Sequence, residues 1–179
     1  MLYDNEILNA MVVKFQNLFK DIPDRLTDVI VKNLTDPQRL EKDCEQIVKN
    51  HSFPDIDINF SQTSVTANDD EPYSVAIRIP FKSKEDFVKS ILTDNKITVL
   101  PGGTTIFINT IGLTHKDAVE KAKPQYQLLK AFQKKVDEII LEQKKNLPKI
   151  LCKKASDILQ KRSDRENYNR ELTKQLMSD

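Results

Sequence analysis

Glycine and tryptophan are scarce in this chain, and the few glycines are clustered. The 179 residues include three glycines and no tryptophan. All three glycines lie in the stretch LPGGTTIFINTIG, residues 100–112. A P-loop needs four residues between its glycines, followed by Lys and Ser or Thr, and a dinucleotide-binding fingerprint needs a third glycine at a fixed spacing. Because neither pattern is present, the sequence predicts neither of these nucleotide-binding loops.

Cysteine and histidine are equally rare, which limits metal and redox chemistry. The two cysteines, Cys44 and Cys152, lie in separate helical patterns, without a CxxC pair or a nearby histidine. We therefore expect two separate thiols in a reducing compartment. His51 and His115 have carboxylates nearby in sequence, but no spacing indicates the further ligands that a metal site requires. The sequence thus predicts no metal and no cofactor.

Patterns typical of catalysis are also missing. There is no G-x-S-x-G nucleophile elbow, and neither cysteine has a sequence signal for an activating base. The paired acids Asp55 and Asp57 alternate with apolar residues, which is typical of the solvent side of a strand. We therefore predict that the protein is not an enzyme.

Long apolar runs are absent, so the sequence predicts no membrane contact. Hydrophobic residues make up 39% of the chain and charged residues 31%. The uninterrupted apolar runs are only a few residues long, far short of a membrane span. The first residues, MLYDNEILNAMVVKF, carry Asp4 and Glu6 ahead of most apolar positions and lack a small-residue cleavage signal. We expect a cytoplasmic protein, or a virion component if its source is viral.

Charge is nearly balanced overall but is divided unevenly along the chain. The net charge is +1, with 12 Lys and Arg against 17 Asp and Glu in residues 1–112, and 16 against 10 in residues 113–179. The acidic and basic parts can pair with each other within one chain or between two copies, or the basic part can bind a polyanion. The lysines most suited to contact a polyanion are Lys134, Lys135, Lys144 and Lys145. Acids interrupt this basic run, so a solvated helix face is the simpler interpretation.

The first 51 residues show helical periodicity. Apolar residues recur every three or four positions up to Phe19, again after Pro23, and again from Leu40 to Val48. Proline is tolerated in the first turn of a helix, so Pro23 and Pro37 are compatible with new helix starts. The pattern predicts three helices in this part of the chain.

Residues 55–112 change to the two-residue period of strands. Alternating runs around 56–60 and 73–81 predict one antiparallel pair, and runs on either side of Gly102 and Gly103 predict a second, with one helix between the pairs. A two-residue loop at the glycines would place Val99 opposite Ile106 and Ile97 opposite Ile108. A type II turn at Pro101-Gly102 would shift this register by one residue.

Residues 113–179 read as helix nearly throughout. Thr114 can cap the first turn. Pro124 predicts either a kink or the end of a short helix and the start of a longer one, and Pro148 predicts a second break. Ser163 with Glu166 matches a capping box that would start a last helix. The predicted fold is therefore α+β. It has a body of residues 1–112, with helices in 1–51 and a four-stranded ββαββ sheet in 55–112, and a long, broken, basic helical arm of residues 113–179.

The modest apolar content and the absence of catalytic motifs favour a protein that acts by contact. We predict a non-enzymatic structural or adaptor protein that binds protein partners or itself in a multi-subunit assembly, a viral particle being one such assembly. The helical apolar stripes predict the docking residues Leu8, Met11, Phe15, Leu129, Phe132, Val136 and Ile140. The alternative is a nucleic-acid-associated protein that binds through the basic C-terminal helices.

Overall fold

The predicted α+β class is confirmed. The structure is a computed structural model that describes residues 4–34, 36–83 and 86–177, with side chains throughout except at residues 86–88. A helical N-terminal region precedes an antiparallel sheet and a long C-terminal helix. The helices are α1 (Asn5–Asn17), α2 (Ile22–Asn33), α3 (Leu40–Asn50), α4 (Asp86–Asp94) and α5 (His115–Leu176). The strands are β1 (Ile56–Ile58), β2 (Ser64–Asn68), β3 (Tyr73–Ser83), β4 (Thr98–Val99) and β5 (Thr105–Gly112).

The chain divides into two compact units that are both discontinuous in sequence. Unit 1 consists of Met1–Phe19 and Phe53–Leu141, and unit 2 of Lys20–Ser52 and Glu142–Asp179. Unit 1 holds α1, the sheet, α4 and the first part of α5, whereas unit 2 holds α2, α3 and the rest of α5. This division differs from the predicted body and arm, because α5 contributes buried side chains to both units.

The three N-terminal helices form where the apolar period predicted them, and each has a local start signal. The Asp4 carboxylate accepts hydrogen bonds from the backbone N–H groups of Glu6 and Ile7, which caps α1. Pro23 lies in the first turn of α2. Asp36 accepts a hydrogen bond from the Gln38 N–H at the 3₁₀ turn that leads into α3.

The sheet has five strands rather than the four predicted. Its order is β1-β3-β5-β4, and β2 also pairs with β3, all antiparallel. β1 pairs with the end of β3, at residues 81–83, and β2 with residues 74–78. β2 escaped prediction because its sequence, SVTAN, alternates only two small apolar residues, Val65 and Ala67, with polar ones, and all five residues are exposed. In β3 the predicted alternation holds, since Val75, Ile77, Ile79 and Phe81 are buried.

The glycine-rich stretch is a hairpin turn, as predicted. Val99 lies opposite Ile106, which confirms the register that a glycine loop required. The carbonyl of Leu100 accepts a hydrogen bond from the Gly103 N–H (3.0 Å), and Gly102 has a φ of +96°. Pro101 and Gly102 therefore form the centre of a turn. Contrary to expectation, this turn does not shift the register, because the Leu100 N–H donates a hydrogen bond to the Thr105 carbonyl (2.9 Å) and leaves a four-residue loop.

Helix α5 is continuous, so a helix end at Pro124 and the predicted break at Pro148 are both wrong. It runs for 62 residues, and the Ser163–Glu166 pair lies inside it rather than at a helix start. A proline within a helix costs about 3 kcal/mol. Buried side chains flank both prolines, including Ala122 and Leu129 around the first, and Leu147 and Leu151 around the second. Burial of these residues offsets the cost of each proline.

The start of α5 is the one that the sequence predicted. The Thr114 hydroxyl accepts a hydrogen bond from the Asp117 N–H (3.1 Å), and the Asp117 carboxylate accepts one from the Leu113 N–H (3.0 Å). Gly112 precedes this cap, at a point where the backbone of the first turn of α5 lies close to it. A Cβ atom at that position would lie 2.8 Å from the Thr114 carbonyl oxygen, so the turn from β5 into α5 requires glycine.

Candidate interaction surfaces

The predicted docking residues are placed mainly in the interior of unit 1. Their exposed fractions are 8% or less, except for Ile140, which is half-buried. An aromatic chain links several elements of this core. The Phe15 ring packs edge-on against Phe132 (6.3 Å between centroids) and Phe19 (5.6 Å), and Phe19 stacks on Phe53 (6.1 Å). The buried set is Leu8, Met11, Phe15, Leu129, Phe132 and Val136. Docking through these residues stays a prediction, and it would require the core to open.

The last part of α5 carries apolar side chains that the described chain leaves uncovered. Every residue from 160 to 177 is exposed, and we call this range the C-terminal segment. Tyr168, Leu172 and Leu176 recur at four-residue intervals and form one stripe, with exposed fractions of 60%, 39% and 82%. Met177, also exposed, follows them. The sequence predicted a helix here, but not that its apolar side chains face solvent.

The four lysines predicted to contact a polyanion are all exposed, and they fall in different units. Lys134 and Lys135 belong to unit 1, and Lys144 and Lys145 to unit 2. Lys135 bonds to the Glu138 carboxylate (2.8 Å), and this hydrogen bond lowers the pKa of Glu138. Another lysine of α5, Lys154, pairs with Asp24 in unit 2. Pairing within the chain therefore accounts for part of the basic charge of α5.

His115 lies beside the loop between β2 and β3. Its Nε2 atom is 2.9 Å from the Asn68 carbonyl oxygen and 3.3 Å from the Asp69 carboxylate, and its ring packs edge-on against Tyr73 (4.9 Å). These contacts join the start of α5 to the β2–β3 loop within unit 1. Within residues 4–34, 36–83 and 86–177, no group of three or more His, Cys, Asp or Glu side chains could hold a metal ion.

His51 lies at the end of α3 in unit 2, in a partly buried position. Burial lowers its pKa below the usual 6.5, and the nearby positive charge of Arg25 lowers it further. The folded state therefore binds a proton less readily than the unfolded state does.

We expect His51 to make the protein less stable in mild acid. As the pH falls below 6.5, the unfolded chain takes up a proton on His51 before the folded chain does, and stability falls until the pH passes the folded-state pKa. Urea unfolding at several pH values should show this loss, and His51→Gln should remove that part of it. His115→Gln, which leaves His51 and Arg25 intact, should retain it. Equal pH dependence in the wild type and His51→Gln would contradict the assignment.

The two cysteines, which the sequence indicated as separate thiols, come together in unit 2. Burial raises the pKa of Cys44 on α3 to about 12, the nearby Cys152 on α5 adds to this rise, and both cysteines are free thiols. Cys44 is fully buried, whereas Cys152 is partly exposed. The sequence carries no signal that these two residues are near each other, because they are 108 positions apart.

The two acids at strand β1 match only in part the prediction that they lie on its solvent side. Asp57 is exposed, while Asp55 is half-buried at the strand's start. The unpaired edge of β1 is covered by a residue that sequence reasoning missed. The Gln133 amide on α5 accepts a hydrogen bond from the Ile58 N–H and donates one to the Ile56 carbonyl, both at 2.9 Å. It thereby protects a strand edge.

The helices in the described part of the chain include none with the length and apolar character needed to cross a membrane. The C-terminal segment and the exposed lysines are the surface features on which a functional proposal can rest. They have to be interpreted from this chain alone, because comparison with known proteins finds no matching family model, no similar curated protein and no similar solved structure.

Proposed function

We propose that the protein is a non-enzymatic structural or adaptor protein that acts through protein–protein contacts in a multi-subunit assembly. The observation that carries this proposal is the exposed apolar stripe of Tyr168, Leu172 and Leu176 on the C-terminal segment. We place the protein in the cytoplasm, or in a virion if the assembly is a viral particle.

The stripe has the spacing of a helix that binds in an apolar groove or against another helix. Anchor residues at four-residue intervals are how an amphipathic helix presents one face to a partner. The C-terminal segment is 18 residues long, and all of it is exposed. Most of the stability of a helix in a protein comes from packing of its apolar face, which this segment lacks within the described chain. A partner that buried the stripe would stabilise the helix and remove its apolar surface from water.

The proposal predicts an association that depends on the stripe. Light scattering at high salt should give a mass above that of one chain, or the chain should retain a stoichiometric protein partner from its native extract. Replacing Tyr168, Leu172 and Leu176 together with glutamate should abolish that association, because charges would face an apolar contact. The matched control replaces Gln160, Ser163 and Asn167 with glutamate, on another face of the same segment.

The control variant should keep the association, since it adds the same number of glutamates without altering the stripe. Circular dichroism of both variants checks that the rest of the chain stays folded. A wild-type chain that is a monomer at every salt concentration and retains no partner would contradict the proposal. So would equal loss of association in both variants.

The second candidate is a nucleic-acid-associated protein, favoured by the exposure of Lys134, Lys135, Lys144 and Lys145. Binding through phosphate contacts weakens steeply as salt rises. In the same light-scattering experiment, a nucleic-acid-binding chain would be a monomer that gains mass only with nucleic acid and only at low salt. The carboxylate of Glu138 beside Lys135 argues for the first candidate, because it already partners one of these lysines.

A further inference from the structure

Strand β2 forms an edge of the sheet that the described chain leaves open. Among the residues that the structure describes, no strand other than β3 pairs with β2, and all five residues of β2 are exposed. On the same side of β3, by contrast, Gln133 bonds to the edge of β1. The sequence of β2, SVTAN, also lacks the charges and prolines with which natural edge strands prevent pairing. The edge of β2 can therefore accept a further strand.

The hydrogen-bond pattern of the sheet determines which backbone groups of β2 face outward. In an antiparallel ladder, alternate residues of a strand bond to the neighbour on one side. The Asn59 N–H donates to the Pro80 carbonyl (2.8 Å), so the even-numbered residues of β3 face β1 and β2. In the register of β2 with β3, these residues pair with the even-numbered residues of β2. The N–H and carbonyl groups of Val65 and Ala67 consequently point away from the sheet.

We propose that β2 pairs antiparallel with β2 of a second copy of this chain, centred on Thr66. In that register Val65 of each copy lies opposite Ala67 of the other, and their outward groups form four hydrogen bonds between the copies. The side chains also match, because Val65 and Ala67 share a sheet face with their buried partners in β3, Ile77 and Val75. Val65 is 59% exposed and gains an apolar neighbour across the new pair.

Charge favours the antiparallel arrangement of the two copies. The loop after β2 carries three exposed acids, Asp69, Asp70 and Glu71. Parallel copies would bring these two acidic loops together, whereas antiparallel pairing centred on Thr66 places residue 69 of one copy opposite residue 63 of the other. Residues 58–68 carry no charged side chain, and the exposed Lys130 lies close to the turn at Phe60, with its Nζ atom 5.8 Å from the ring centroid. Each acidic loop therefore meets the end of β2 that has a positive charge beside it.

Hydrogen exchange of the wild-type full chain, followed by NMR at rising protein concentration, tests this pairing. The amides of Val65 and Ala67 should exchange at least about tenfold more slowly once most chains are paired, because they then donate to the second copy. The Thr66 amide is the internal control, since it faces β3 at every concentration. Val65→Lys and Ala67→Pro should each abolish the change, through a charge or a missing donor at the edge. Ile111→Lys, at an exposed position of β5 away from this edge, should retain it.

A crosslink tests the register itself. In a pair centred on Thr66, the two Thr66 Cα atoms lie about 4.5 Å apart at a position without hydrogen bonds. Thr66→Cys should therefore form a disulfide-linked dimer under mild oxidation, and a peptide map should show the copies joined through position 66. The matched control is Asn109→Cys, which is exposed on the same sheet face but lies on β5, away from the β2 edge. It should not be joined through position 109.

Two results would overturn the proposal: exchange of Val65 and Ala67 that does not change with concentration, or a Thr66→Cys chain that crosslinks no faster than Asn109→Cys. Circular dichroism checks the fold of each variant, and if an edge variant does not fold, the wild-type exchange and the crosslink decide the question.

This pairing is separate from association through the C-terminal segment, because β2 belongs to unit 1 and the stripe to unit 2. The variant with glutamate at Tyr168, Leu172 and Leu176 should keep the concentration-dependent protection of Val65. Val65→Lys should in turn keep any association that depends on the stripe. Loss of the Val65 protection in the stripe variant would contradict a separate interface at β2.

Discussion

Replacing Phe132 with alanine should lower the free energy of unfolding by about 3–5 kcal/mol. Phe132 is fully buried in unit 1, and its ring packs edge-on against Phe15 at 6.3 Å. Removing the ring loses apolar burial and leaves a cavity that the packed core fills only in part. Urea unfolding followed by circular dichroism measures the loss, and a second probe checks whether the two units unfold in one transition.

The matched control for Phe132 is Leu141→Ala on the same helix. Leu141 is 71% exposed, so its truncation should change stability by no more than about 0.5 kcal/mol. The comparison also tests the predicted docking role of Phe132. If that side chain served a partner rather than the core, Phe132→Ala would keep wild-type stability and lose only the association. A loss below about 1 kcal/mol would contradict its placement in the core.

Replacing Gln133 with alanine should cost about 1–3 kcal/mol and loosen strand β1. The Gln133 amide makes one hydrogen bond to each of two backbone groups of β1, the Ile58 N–H and the Ile56 carbonyl. Without it, both groups lose their partner at a partly buried strand edge. Urea unfolding gives the stability change, and hydrogen exchange should show the Ile58 amide exchanging faster while the amides of β5 change less.

Gln125→Ala is the control for this prediction. Gln125 lies eight residues earlier on α5 and is exposed, so its removal should be close to neutral. If Gln133→Ala left both the stability and the exchange of Ile58 unchanged, the side chain would not protect the strand edge. A larger effect on β5 than on β1 would equally contradict the local role.

These tests separate the fold from the proposed function. Phe132→Ala and Gln133→Ala act on unit 1, whereas the stripe at Tyr168, Leu172 and Leu176 lies in the exposed part of unit 2. If the variant with glutamate at these three positions lost its association but kept its stability, the loss would therefore be attributed to the apolar stripe.

Features that depend on neighbours in sequence could be predicted from the residues alone. The period of Leu8, Met11 and Phe15 predicted α1, and alternation predicted β3. The Gly102-Gly103 turn predicted the pairing of Val99 with Ile106, and Thr114 predicted the start of α5. In each case the cause is short-range: backbone geometry, side-chain spacing or a hydroxyl within hydrogen-bonding reach.

Features that depend on residues distant in sequence were decided only by the tertiary structure. Periodicity showed that α5 has apolar stripes, but only packing shows that Phe132 is buried and Tyr168 is exposed. The hydrogen bonds of Gln133 to β1 join positions 75 and 77 residues apart. The continuity of α5 through its prolines likewise depends on burial around them. Local preference is worth only a few kcal/mol, so burial and long-range hydrogen bonding decide these features.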